Sequence, residues 1–238
     1  IVPAANQTGT VNITLIVSDK SGMSTSNSFP FDVNYLTALT NGLPTLGFAQ
    51  AAWGDFDNDG DLDVVVAGDD TNATVCRIYR NDAGTFTDIN AGLAAVNRSE
   101  LGWADYDQDG FLDLLITGGS THLYHNNGNS TFTEVTNNFP AITYGAFAWG
   151  DMDNDGDLDA LVVNIAGLAR LYENIAEKRG HFLNVRVVEP TMGSRDAYGA
   201  KVTVEAGGKR WVHHVAPGAS YLSSNDPRLH FGLGEVSE

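Results

Sequence analysis

The chain has 238 residues, with thirteen basic against thirty acidic side chains and a formal net charge of −17 at pH 7. So acidic a chain repels the phosphate backbone, which excludes nucleic acid as a partner, and it favours a soluble surface. No run approaches eighteen apolar residues, so no membrane-spanning helix is expected, while 42% hydrophobic residues over this length suffice to bury more than one core.

Residues 1–34 read as a separate piece. Val11, Ile13, Leu15 and Val17 alternate with Asn12, Thr14, Ile16 and Ser18, and Phe29, Phe31 and Val33 repeat the alternation after the turn-rich stretch from Asp19 to Ser28. That is the pattern of two half-buried strands, a hairpin that is marginal on its own. It resembles the last two strands of an immunoglobulin- or cadherin-like sandwich. Tyr35 to Leu39 reads alternatively as the outer strand of a following blade.

Three times a tryptophan then precedes an aspartate ladder of one design. Trp53 leads into Asp55, Asp57, Asp59, Asp61 and Asp63; Trp103 into Asp105, Asp107, Asp109, Phe111 and Asp113; Trp149 into Asp151, Asp153, Asp155, Asp157 and Asp159. This is the D-x-D-x-D-G-x-x-D calcium loop. Positions 1, 3 and 5 aim carboxylates into one hollow, Gly60, Gly110 and Gly156 at position 6 permit the turn, position 7 offers a backbone carbonyl and position 9 closes the shell. Phe111 at position 7 therefore loses little. So many carboxylates in one place repel one another unless a cation lies between them.

An EF-hand is excluded, because it needs a glutamate at position 12 and flanking helices. Here position 12 is Val66, Ile116 and Val162, inside short Val/Leu/Ile runs that read as buried strands. Oxygen-only ligands select calcium, about three ions, over softer metals. Fourteen of the thirty acids lie in these loops, and three bound dications would still leave a net charge of about −11. At about millimolar calcium and site constants of 10⁻⁴ to 10⁻³ M, three ions contribute roughly 1–4 kcal/mol, a large share of a folding margin of about 5–15 kcal/mol.

The loops belong to a longer unit. Each is followed by an apolar-Tyr-x-Asn strand, Ile78 to Asn81, Leu123 to Asn126 and Leu171 to Asn174, and the first two by a third strand, Phe86 to Ile89 and Phe132 to Val135. The tryptophans stand fifty and then forty-six residues apart, the period of a four-stranded propeller blade that must stack to bury both faces.

These motifs, a W-G-D-x-D-x-D-G-D-L-D loop followed by V-V, L-Y-x-N and F-T-D, resemble the FG-GAP/VCBS repeats also seen in integrin alpha heads. From Gly180 onward, Gly180 to Val185, Ser194 to Ala200 and Ser220 to Gly234 resemble the ASPIC/UnbV domain that follows such repeats in bacterial surface proteins and in cartilage acidic protein. The fold expected is all-β: residues 35–179 as three propeller-type blades of an incomplete propeller, residues 180–238 as a small C-terminal β domain that stops short of the family's last strand, and the hairpin in front. The resemblance implies a secreted or cell-surface, calcium-stabilised, non-catalytic scaffold whose partners are protein, glycan or copies of itself.

Three loops are fewer than a closed propeller of about four to eight blades needs. Three readings stand: a piece of a larger surface protein, an open stack closed by other elements, or completion by neighbouring copies, which would make a filament subunit. No basic and apolar leader opens these residues, so export would use a segment already removed or outside them.

Five sequons, at Asn6, Asn12, Asn72, Asn97 and Asn129, are candidate glycosylation sites. Cys76 has no internal partner and reads as a small buried hydrophobe. His122 and His125 should diverge across their strand, and His213 and His214 should lie at the surface beside Trp211. There is neither a G-x-S-x-G elbow nor a P-loop, and the aspartates are taken up as metal ligands, so no enzyme is expected. A polysaccharide-binding or lyase-associated module is the remaining alternative.

Overall fold

A computed structural model describes residues 9–18, 24–33, 42–136, 139–142, 145–153, 155–164, 167–176, 180–190, 195–215 and 228–235. The chain divides into two compact units, Ile1–Thr40 and Asn41–Glu238. Among the described residues there is no α-helix, and none of the small antiparallel sheets closes on itself.

In the first unit β1 (Gly9–Ser18) pairs with β2 (Ser24–Val33) without a break, from Gly9 opposite Val33 to Ser18 opposite Ser24. The alternating stretch thus forms the expected hairpin. The strand considered at Tyr35 to Leu39 lies outside the described residues.

The second unit begins with three blades. Blade 1 is β3 (Gly47–Gly54), β4 (Asp63–Asp69), β5 (Thr74–Asp82) and β6 (Thr85–Asp88), in that order across the sheet. Blade 2 repeats it with β7 (Leu101–Ala104), β8 (Asp113–Thr117), β9 (Thr121–Asn126) and β10 (Phe132–Val135). Blade 3 has three strands, β11 (Ala146–Gly150), β12 (Asp159–Val163) and β13 (Arg170–Tyr172). Each aspartate loop spans the first two strands of its blade, as the apolar runs after the loops require.

Register gives every blade two unlike faces. Directly opposed residues share a face, so Trp103, Leu114 and Tyr124 line one side of blade 2, and Gly102, Leu115 and Leu123 line the other. The corresponding rows are Trp53, Val64, Tyr79 against Ala52, Val65, Ile78 in blade 1, and Trp149, Ala160, Tyr172 against Ala148, Leu161, Leu171 in blade 3. Stacking places the aromatic face of one blade on the aliphatic face of the blade before it. One core joins Val65, Ala67, Cys76 and Ile78 to Leu101, Leu114, Ile116 and Tyr124; a second joins Leu115 and Leu123 to Phe147, Trp149, Ala160 and Val162. Gly54 is small for a packing reason, since a Cβ there would stand 2.7 Å from the Trp103 ring. Cys76 sits in the first core, as its apolar strand setting indicates.

After the blades come short strands: β14 (His181–Val185), β15 (Val188–Glu189), β16 (Arg195–Asp196), β17 (Lys201–Ala206), β18 (Lys209–His214) and β19 (Leu229–Gly234). β14 pairs with β19, β15 with β16, and β17 with β18. The last pair turns on Gly207-Gly208, both at positive φ, which suits a two-residue hairpin.

One expectation fails here. His213 and His214 are not exposed surface residues, because Trp211 and Val212 turn inward and Phe231 of β19 lies against the hairpin. The His213 ring stacks on Phe231 with centroids 4.3 Å apart, and burial pushes its pKa down to about 4. His214 is half-buried.

Candidate metal centres

Position 9 is a knot in every loop. Asp63 accepts the Phe56 N–H at 3.0 Å with one oxygen and the Asn81 N–H at 2.8 Å with the other. Asp113 accepts Tyr106 N–H and Asn126 N–H at 3.1 and 2.8 Å, and Asp159 accepts Met152 N–H and Asn174 N–H at 2.9 and 2.8 Å. One carboxylate thereby fixes the start of the loop to the end of the blade's third strand. Position 1 organises the turn: Asp55 accepts the N–H groups of Asp59 and Gly60, both at 3.0 Å, and Asp105 those of Asp109 and Gly110 at 3.1 and 3.0 Å. The glycine follows at φ near +96° in all three loops, a conformation that disfavours any side chain.

These anchors bring the carboxylates together. Ligand-type oxygens of Asp55, Asp57 and Asp63 lie within 4.8 Å of one another, as do those of Asp105, Asp107 and Asp109, and of Asp151, Asp153 and Asp159. Asp113 joins Asp107 in a further group with His125. At position 5, Asp59, Asp109 and Asp155 accept the N–H of position 7, Asp61, Phe111 and Asp157 respectively, at 2.8 to 3.0 Å. The position 7 side chains are used elsewhere: Asp61 accepts the Ala83 N–H and Asp157 accepts from Gln108, at 2.9 and 2.7 Å.

Burial and crowding raise the proton affinity of these carboxylates. Burial, reinforced by the neighbouring carboxylates, pushes Asp55 up to about 6 and Asp63 to about 7; it does the same to Asp113, to about 6, and lifts Asp105 well above the carboxylate range. A cation between them would reverse these shifts. Loops 1 and 3 offer oxygen alone, and Asp151 holds one buried carboxylate oxygen with no hydrogen-bond partner. Such a donor set fits a hard dication.

Several residues tie the loops of neighbouring blades together, a role their own repeat does not reveal. Asn126 donates to the carbonyls of Leu112 and Phe56, at 3.1 and 2.8 Å, and Asn174 to those of Leu158 and Tyr106, at 3.2 and 2.7 Å, so the asparagine of the second and third signatures reaches back into the preceding blade's loop. Position 4 reaches forward: Asn58 donates to the Gly110 carbonyl at 2.8 Å, and Gln108 to the Gly156 carbonyl at 2.9 Å. His125 faces the loop of its own blade, its Nδ1 lying 3.2 Å from Asp113 and 3.4 Å from Asp107. The one sequence signal for it is its place between Tyr124 and Asn126, where Arg80 and Glu173 stand in the other repeats. His122 is directed away, 2.7 Å from Glu134.

The C-terminal strands sit on the same loops. Trp211 Nε1 donates to the Gly110 carbonyl at 3.1 Å, and His230 Nε2 lies 3.0 Å from that of Gly156, where only the Nε2–H tautomer can donate. Asn184 donates to the Asp151 carboxylate at 3.3 Å, Arg228 to the Asp151 carbonyl at 3.2 Å, and Gly234 N–H to the Gln108 carbonyl at 3.2 Å.

The sequons fall on different ground. Asn72 and Asn129 are exposed, whereas the Asn97 amide donates to both oxygens of Asp69, at 2.8 and 3.0 Å. Asn12 lies in β1, and Asn6 is outside the described residues.

Two family comparisons match the chain. Residues 55–116 and 105–162 match the FG-GAP-like repeat, and residues 190–238 match ASPIC and UnbV. No curated protein and no solved structure matches. The matches thus run in the order the motifs lead one to expect, FG-GAP-like repeats over residues 55–162 and then ASPIC and UnbV over 190–238, on an all-β fold.

Proposed function

We propose that the chain is a calcium-binding structural or adhesive module of an extracellular or cell-surface protein, non-catalytic, with protein or glycan partners. The observation that carries this reading is the threefold recurrence of a carboxylate cluster whose position 9 is pinned by backbone N–H groups. Asp55, Asp57 and Asp63, then Asp105, Asp107, Asp109 and Asp113, then Asp151, Asp153 and Asp159 would hold about three calcium ions. A bound ion supplies positive charge that cross-links the first two strands of a blade, a task disulfides cannot perform in a chain with one cysteine. The residues themselves do the rest: position 9 joins loop to strand, and the Asn and Gln amides join blade to blade. Among the described residues no helix is long and apolar enough to cross a membrane.

Calorimetric titration with calcium tests the reading directly. About three sites are expected, with a melting temperature that rises with calcium, and Asp55→Ala with Asp59→Ala, which also removes turn hydrogen bonds, should lower it further with calcium present than with chelator. Absence of binding would refute the assignment.

A specific observation favours a second reading, self-association. The aliphatic face of blade 3 is open, with Leu161 at 43% and Leu171 at 57% exposure, while its equivalents in blades 1 and 2 are buried, and Trp53 at the opposite end of the stack is 58% exposed. Light scattering after size exclusion distinguishes the two: a mass near 25 kDa supports the binding module, a large or growing species the subunit of an assembly.

A further inference from the structure

The contacts of the C-terminal strands fall on a repeated feature of the blades. The position 6 carbonyl of a loop receives two donors. Gly110 accepts from Asn58 of the preceding loop and from Trp211; Gly156 accepts from Gln108 of the preceding loop and is met by His230. The side chain of Arg210 continues the row, lying against Gly60 of the first loop. Trp211 and His230 are both buried, so neither donor can be left unpaired cheaply. Gly232 closes the contact: a Cβ there would collide with the carboxylate of Asp105, the position 1 aspartate of the second loop. Phe182 likewise packs against Gly156, where a Cβ would collide with its ring, and stacks on His230.

We propose that the C-terminal β segment is a cation-gated clamp, which grips the row of loop glycines when the loops are shaped by bound metal and lets go when the metal is withdrawn. This rests on the cation reading of the loops above and adds its control over a second part of the molecule. The turn that carries the position 6 carbonyl also aims positions 5 and 7, so a donor fixed on that carbonyl holds the hollow in shape. Metal held in the hollow fixes the carbonyl for the donor in return. Binding linkage makes the coupling reciprocal: the factor by which calcium tightens the clamp equals the factor by which the clamp tightens calcium. The gripped carbonyls and the covered carboxylate belong to loops 2 and 3, whereas at Gly60 of loop 1 the neighbour is the Arg210 side chain, so loop 1 is the internal reference.

Hydrogen exchange read by mass spectrometry, together with calcium calorimetry, tests this on the full chain. With calcium replaced by chelator, exchange in 209–214 and 229–234 should rise about tenfold or more while β4 and β8 stay protected. Trp211→Phe keeps the ring and removes the N–H, and Gly232→Ala blocks the approach to Asp105; each should weaken calcium about tenfold at one or two sites and leave at least one site unchanged. Should Gly232→Ala fail to fold, Trp211→Phe alone decides. Exchange in those strands that ignores chelation, or Trp211→Phe with calcium binding equal to the parent's, overturns the clamp while leaving the metal sites standing. A parent chain that takes up no calcium overturns the cation reading itself, and the gate with it.

Discussion

Blades 2 and 3 carry the same loop and the same Leu-Tyr-x-Asn signature and stand in different surroundings. In blade 2 both faces are covered and the loop is capped, so Leu114, Leu115, Asp107 and Asn126 are all buried. In blade 3 one face is bare, Met152 and Asp153 are exposed, and Asn174 is half-buried. The repeat therefore fixes the hydrogen-bond pattern, while burial depends on the neighbours. An inner blade is costly to damage, and a terminal blade should tolerate the same change.

The largest expected effect breaks the position 9 knot on the covered side. Asp113→Ala removes the acceptor of Tyr106 N–H and Asn126 N–H in a site with almost no access to water, and should cost about 4 kcal/mol. Asp159→Ala frees Met152 N–H beside an exposed side chain, where water can replace the lost acceptor, and should cost about half as much. Urea denaturation of the two variants at saturating calcium measures the difference. Equal losses would mean that the knot, and not its surroundings, sets the cost.

Next comes the core between these blades. Leu115 has no exposure and packs against Phe147 and Trp149 across the second core, so Leu115→Ala should lose about 3 kcal/mol by transfer and cavity terms together. A loss under about 1 kcal/mol would show that the blades are not pressed together as described.

Acid should reach the cap before the blades' aliphatic cores. His213 has its folded pKa depressed to about 4 by burial against Phe231, below the unfolded value of about 6.5. A depressed imidazole prefers to stay neutral in the folded state, so its contribution is fully present above about pH 6.5 and is lost as pH falls towards 4. The loss is of order 2–3 kcal/mol, and His213→Phe should flatten it. Thermal melting between pH 7 and 4, with parent and variant compared, measures the slope; identical slopes would remove His213 as its source.

Blades and loops are legible in the residues alone, because each of their signals is local. The tryptophan spacing, the glycine at position 6 and the apolar runs after each loop specify period, turn and strand within about fifty residues. The amides at position 4 are not legible as links, since Asn58 bonds Gly110 fifty-two residues away and Gln108 bonds Gly156 forty-eight away, distances that only stacking abolishes. His125 reads as one half of an H-x-x-H pair, and its loop-facing role needs the strand to return beside Asp113. His213 reads as superficial because a lone hairpin exposes one face, and it takes Phe231 of a later strand to cover it.

The smallest effect completes the comparison. Leu161 occupies in blade 3 the register place that Leu115 fills in blade 2, opposite Ala148 as Leu115 is opposite Gly102. It is 43% exposed, so Leu161→Ala forfeits little transfer energy and leaves no cavity, and an isolated chain should lose less than about 0.5 kcal/mol. The same side chain has a second use if copies associate, because the aliphatic face is the one on which each preceding blade receives an aromatic face. Measured at low and high protein concentration, Leu161→Ala then separates two molecules. A loss that stays small throughout belongs to a free face, whereas a loss that grows with concentration, together with a fall in mass by light scattering, belongs to a face covered by another copy.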